Sequence, residues 1–166
     1  KIYSIYKYKE NKMHLDNVDL QLLALIQSDD SISTEAMAKQ VGLSKTPCWR
    51  RVQKLEKAGF IKRRVALLDA DKLGLGVSVF VQVKTNQHDA NWAIEFARVV
   101  AEFPEVVEFY RMAGDYDYLL RVLVKDIPSY DKFYKRLISA TALTDVTSNF
   151  AMEQIKWTTE LPLPSE

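Results

Sequence analysis

Between residues 75 and 157 the apolar residues change spacing in an order that few folds can accommodate. Over residues 75–84, Val77, Val79, Val81 and Val83 alternate, which is the period of a strand with one buried face. Residues 90–103 place Ala93, Phe96, Ala97 and Val100 at helical spacing until Pro104 breaks the run, and residues 105–112 return to strand chemistry. Ala113, Gly114 and Asp115 turn the chain into a third strand at 118–124, Tyr130, Phe133, Tyr134 and Leu137 mark a second helical face over 128–139, and residues 145–157 read as a fourth strand. The resulting βαββαβ order predicts a ferredoxin-like split βαβ unit, an antiparallel sheet with both helices on one face. In strands one and four the remaining positions include Ser78, Phe80, Gln82, Val146, Ser148, Phe150 and Met152, a mixed apolar surface with no further segment to cover it. Pairing of two such sheets in a homodimer is the expectation.

Upstream, three short helical patterns follow one another. Asp16 or Asn17 can cap a helix carrying Val18, Leu22, Leu25 and Ile26. Ser33 opens a second helix with Ala36, Met37 and Val41 apolar and Gly42 as its stop, and Leu43 and Ser44 complete a tight turn. The third helix is expected to begin within residues 44–47, where the restriction Pro47 places on its predecessor favours Thr46 as cap and Pro47 as first residue, and to run to Lys57 or Ala58 with Gly59 as its stop. Cys48, Val52 and Leu55 fall on one side of this helix and Thr46, Arg50, Lys54 and Lys57 roughly opposite. Such a trihelical pattern predicts a helix-turn-helix with its third helix in the major groove. Residues 60–68, FIKRRVALL, read as a small strand pair or wing bearing Lys62, Arg63 and Arg64.

Charge supports the same division. The whole chain carries a net charge of only +1, which alone says nothing about nucleic acid. Yet residues 39–64 hold nine basic residues against a single acid, Glu56, whereas residues 65–166 have fifteen acidic and ten basic residues. Such a block is either a solvated face, as in a protein-interaction module, or a nucleic-acid footprint, and its coincidence with the trihelical pattern favours double-stranded DNA. One cysteine, Cys48, and two distant histidines, His14 and His88, give neither a disulfide framework nor a zinc cage, so no metal or cofactor is expected. Cys48 sits with Val52 and Leu55 and reads as a small core residue. No stretch approaches the length of a membrane span. No catalytic residues emerge, since there is no histidine-rich cluster or Gly-x-Ser-x-Gly elbow, although a dimeric ferredoxin-like enzyme acting on a small amino acid is the competing class.

The stretches Leu43-Ser44-Lys45-Thr46-Pro47-Cys48-Trp49-Arg50-Arg51-Val52, Leu55-Glu56-Lys57-Ala58-Gly59-Phe60-Ile61 and Gly114-Asp115-Tyr116-Asp117-Tyr118-Leu119-Leu120 together resemble the Lrp/AsnC (feast/famine) transcription regulators over residues 13–162. Lys45 departs from the proline common in that family. The resemblance implies an α+β protein with an N-terminal winged helix-turn-helix and a ferredoxin-like sensing domain, in dimers that assemble to tetramers or octamers. It points to Ser44, Lys45, Thr46, Trp49, Arg50, Arg51, Lys54, Lys57, Lys62 and Arg63 for operator DNA. For an amino-acid effector it points to Gly114, Asp115, Tyr116 and Asp117, with Thr147 and Ser148 on the fourth strand. A carboxylate for the ligand's ammonium group and backbone or hydroxyl donors for its carboxylate are the chemistry a zwitterion needs. The expected organisation is a non-native leader over 1–12, a DNA-binding domain over 13–68, a linker over 69–74, a sensing domain over 75–157 and a tail over 158–166, in a cytoplasmic, nucleoid-associated protein.

Overall fold

The computed structural model describes residues 13–87 and 89–164, so the leader expected over 1–12 and His88 lie outside the described residues. Two compact units form. Leu68–Ile155 make one, and the described residues up to Leu67 together with those from Lys156 onward make the other.

The first helices of the second unit start where short polar side chains meet an apolar run. α1 (Asn17–Ser28) begins at a reciprocal capping box: the Asp16 carboxylate accepts the Asp19 N–H at 2.8 Å, and the Asp19 carboxylate accepts the Asp16 N–H at 3.3 Å. α2 (Thr34–Gln40) is capped by Ser33 Oγ, which accepts the Ala36 N–H. Gly42, at φ +69°, then supplies the left-handed residue of the turn into α3 (Lys45–Lys57). α3 starts within the expected range but two residues before the favoured Pro47, with Ser44 at the cap and Thr46 already helical. Pro47 is thereby the third residue of the helix, where its missing N–H has no carbonyl to reach, so the first turn tolerates it. Leu22, Ile26, Met37, Ala38, Cys48, Val52 and Leu55 form the small core between these helices. Of the strand pair or wing expected over 60–68, no strand forms: among the described residues none occurs before β1, and Val65, Leu67 and Leu68 are exposed. The nine residues hold no Gly, Asn or Asp turn signal that could fold them into a hairpin.

The larger unit runs β1 (Val77–Lys84), α4 (Ala90–Ala101), β2 (Val106–Arg111), β3 (Tyr118–Val124), α5 (Ile127–Ala140) and β4 (Asp145–Phe150). The sheet order is β2-β3-β1-β4 with every neighbouring pair antiparallel, the ferredoxin-like topology. α4 and α5 are capped by Asp89 and Asp126. They bury Phe96, Val100, Tyr130, Phe133 and Leu137 against Val79, Val81, Val83, Tyr118, Leu120, Val122 and Val124. Phe96 and Phe133 are the two largest fully buried side chains, each contributing roughly 2–3 kcal/mol through burial.

β4 differs from its sequence reading in length and in face. It ends at Phe150, and residues 151–160 are exposed chain without secondary structure. Register sets Val146, Ser148 and Phe150 opposite Val83, Val81 and Val79, so these three belong to the helix-covered face. Phe150 meets the Tyr130 ring edge-on, and the Ser148 hydroxyl hydrogen-bonds Tyr130 Oη. The uncovered face is therefore Ser78, Phe80 and Gln82 of β1, Glu108 and Tyr110 of β2, Leu119, Arg121 and Leu123 of β3, and Thr147 and Asn149 of β4. Arg121 pairs with Glu108 across it at 2.7 Å.

Candidate DNA-binding and effector surfaces

α3 buries Cys48, Val52 and Leu55 and leaves Lys45, Thr46, Trp49, Arg50, Lys54 and Lys57 exposed. Burial also pushes the Cys48 thiol up from its ordinary value, which keeps it protonated and unreactive. Ser44 stands exposed at the cap without a side-chain capping bond, so its hydroxyl is available to another acceptor or donor. Lys62 and Arg63 are exposed on the extended chain that follows. Among the described residues no ion-pair partner meets Lys45, Arg50, Lys54, Lys57, Lys62 or Arg63. Trp49 keeps 51% of its surface exposed beside them at the first turn.

Two basic residues of the block serve the fold. Arg51 Nη1 reaches Asp16 at 2.6 Å and Asp19 at 2.8 Å, tying α3 to the capping box of α1. The Asp19 N–H and then the Arg51 guanidinium hold the Asp16 carboxyl below the usual carboxylate range. Arg64 pairs with Asp30 and with Glu56, and Glu56 also accepts from Gln53 Nε2 at 2.8 Å. The single acid of residues 39–64 is thereby tied down by Arg64 and Gln53. Most of the block's exposed positive charge without an ion-pair partner among the described residues lies on α3 and the chain after it, with Lys39 on α2, an arrangement suited to phosphates.

On the larger unit, the β2–β3 turn builds a shallow cleft of about 110 Å³ lined by Gln82, Met112, Ala113, Asp115, Tyr116, Tyr118 and Leu119. Asp115 is exposed, and Lys84 Nζ lies 4.9 Å from the centre of the Tyr116 ring. Gly114 supplies the turn with φ +136° but does not line the cleft. Asp117 is held by structure: its carboxylate accepts the Thr85 N–H at 2.8 Å, its N–H donates to Val83 O, and its carbonyl accepts the Met112 N–H. Thr147 is the register partner of Gln82, one strand out from the cleft on the same open face. Ser148 is separated from it by the sheet, since its hydroxyl lies under α5 against Tyr130. Gln82, Met112 and Leu119 were not among the residues expected from the sequence. The alternation of β1 puts Gln82 on the open face, but its nearness to residues 112–116 arises from strand pairing.

Among the described residues no group of three or more His, Cys, Asp and Glu side chains could hold a metal ion, and no helix is long and apolar enough to cross a membrane. A three-helix unit whose third helix exposes a row of basic side chains, followed by a sheet unit with a shallow cleft at its β2–β3 turn, is the architecture of a DNA-binding transcription regulator. Residues 15–62 match the family model for a winged helix-turn-helix DNA-binding domain, and residues 78–161 match that for the Lrp/AsnC ligand binding domain. The chain belongs to the Lrp/AsnC family of transcription regulators. It is 54% identical over 150 residues to the DNA-binding transcriptional activator DecR of Escherichia coli (strain K12), covering 90% of this chain and 99% of that protein. The glutamate uptake regulatory protein of Zymomonas mobilis is 47% identical over 150 residues, covering 90% of this chain and 92% of its own length. Among solved structures, an AsnC family transcriptional regulator from Agrobacterium tumefaciens superposes with a TM-score of 0.86 at 57% identity, covering 89% of this chain and 97% of that one. A transcriptional regulator from Neisseria meningitidis solved as an L-Met complex gives 0.85 at 31% identity, covering 90% and 97%. These relatives are regulators of transcription, not enzymes.

Proposed function

We propose that this regulator binds operator DNA through Ser44, Lys45, Thr46, Trp49, Arg50, Lys54 and Lys57 of the recognition helix region, with Lys62 and Arg63 on phosphates behind it. Its DNA binding or assembly responds to an amino acid held at the cleft beside Asp115 and Tyr116. The cleft carries this reading. It combines the exposed Asp115 carboxylate for an ammonium group with the Gln82 amide for a carboxylate, and Gln82 and Leu119 of the uncovered sheet face line it. The Neisseria relative's complex with L-Met supports an amino acid as the class of effector. Thr147 is close enough in register to extend the site; Gly114 and Asp117 shape the turn that forms it.

The open face bears Phe80, Leu119 and Leu123 around the Arg121–Glu108 pair, and we assign it to contact with a second copy, giving a homodimer that assembles to a tetramer or octamer. Effector bound at the edge of that face shifts the balance between assembly states, and so the spacing of paired recognition helices, through its differential affinity for them. A DNA-reading protein of this kind works in the bacterial cytoplasm. Fluorescence anisotropy with a promoter fragment tests the first half, with affinity expected to fall steeply as salt rises. Thermal-shift screening of the twenty amino acids tests the second. An absence of any shift, with no change in oligomer size or DNA affinity, would sink the effector reading.

A further inference from the structure

The last described residues leave the sheet unit and join the DNA-binding unit. The junction is specific. Gln27 Nε2 on the last turn of α1 donates to Leu161 O at 3.1 Å, and the Leu161 N–H donates to Gln27 Oε1 at 3.0 Å. One side-chain amide thus pairs both ways with one backbone unit, as a neighbouring strand would. Leu163 just beyond is half-buried, whereas residues 151–160 between Phe150 and this anchor are exposed throughout. That spacer of ten residues can reach about 35 Å when extended. Among the described residues the polypeptide therefore passes between the units twice, once near Leu67 and again near Ile155. The helix that receives the second crossing is also the one whose Asp16 and Asp19 grip Arg51 of the recognition helix.

From this arrangement we infer that residues 156–164 are a strap, anchored on Gln27, by which the sensing domain restrains the DNA-binding domain and thereby its recognition helix. A domain held by one linker samples many orientations, and a second attachment removes those that would need its spacer to stretch beyond its reach. The strap narrows the half-site spacings that an assembly of these chains accepts. This consequence rests on the DNA-binding reading above; the docking of the strap does not.

The test compares full-length wild type, Gln27→Ala, and Gln21→Ala as a control at an exposed position of the same helix. Amide-resolved hydrogen exchange should show Leu161 exchanging about tenfold faster in Gln27→Ala, as loss of two ordinary hydrogen bonds implies, with tryptic cleavage after Lys156 accelerated and Gln21→Ala unchanged. Equal Leu161 exchange in wild type and Gln27→Ala overturns the proposal. A chain truncated before Leu161 leaves α1 intact and provides the same comparison if Gln27→Ala folds poorly. Two DNA fragments carrying half-sites selected with the wild-type protein, differing by a five-base-pair insertion between them, supply the functional readout. Wild type should prefer the in-phase fragment by about tenfold or more, and both released variants should lose most of that preference. Undiminished preference in both released variants refutes the restraining role. Failure of wild type to bind any DNA defeats the DNA-binding reading, while the exchange result still decides whether the strap docks.

Discussion

Arg51 tells a basic residue tied into the fold apart from the exposed basic residues proposed for DNA contact. Replacing Arg51 with Met keeps its apolar stem and removes the guanidinium that bridges Asp16 and Asp19. The Asp19 side chain is only 6% exposed and would keep one backbone N–H donor for a buried carboxylate. Breaking a fully buried pair costs about 3–5 kcal/mol, and a surface pair about 0–1. Arg51 itself is 35% exposed and Asp16 half exposed, so solvent screening discounts the loss to about 2 kcal/mol. Urea unfolding followed by Trp49 fluorescence should register this in Arg51→Met. A cycle with Asp19→Asn should return a coupling of about 1–2 kcal/mol. By contrast, Lys54→Ala should leave stability within about 0.5 kcal/mol and lower the slope of log affinity against log salt by about one, as loss of a phosphate contact does. If Arg51→Met keeps full stability and instead lowers the salt slope, the guanidinium belongs on DNA and the assignment to α1 is wrong.

Three further outcomes follow from named contacts. Asp16, Asp29, Glu95 and Asp126 all titrate below their ordinary values in the folded chain, held respectively by the Asp19 N–H, the Ser31 side chain, Arg98 and the Ser129 side chain. The unfolded chain then takes up more protons as acid is added, so stability is complete above about pH 5 and declines from about pH 4 downward. Denaturation midpoints at pH 7, 4.5 and 3 measure this, and Asp16→Asn should flatten the profile. Ser148→Ala removes the partner of buried Tyr130 and should cost about 1 kcal/mol while preserving any amino-acid thermal shift, whereas Asp115→Asn should diminish that shift without destabilising the sheet unit. Phe133→Ala, at a fully buried site beneath the sheet, should cost about 3–5 kcal/mol in calorimetry.

Most of the architecture was legible in the chain because helix and strand periods are local. The faces of α3, α4 and α5 follow from side-chain spacing alone, and β3 spans the residues its alternation predicts. α3 starts before the favoured cap Thr46 because the pre-proline restriction is a bias and not a prohibition, and a proline at the third helical position forfeits no intrahelical hydrogen bond. The extra length assigned to β4 reflects apolar residues such as Ile155 that lie outside any ladder. The cleft beside Asp115 was half legible. Its turn is written in Gly114 and Asp115, but Gln82 and Leu119 join it through pairing across the sheet.

The sequence by itself determined which residues prefer helix or strand, where the chain turns, and that positive charge gathers between Lys39 and Arg64. Tertiary structure alone decided how that charge is divided. Arg51 and Arg64 meet acids 32 to 35 residues away in α1 and the turn after it, leaving the other cations of the block exposed. It also decided that Ser148 lies under α5 while its neighbour Thr147 faces outward, and that Leu161 returns to Gln27 across 134 residues of chain. Periodicity is set by each residue's immediate neighbours. Ion pairs, strand register and docking depend on groups that become neighbours only when the fold closes.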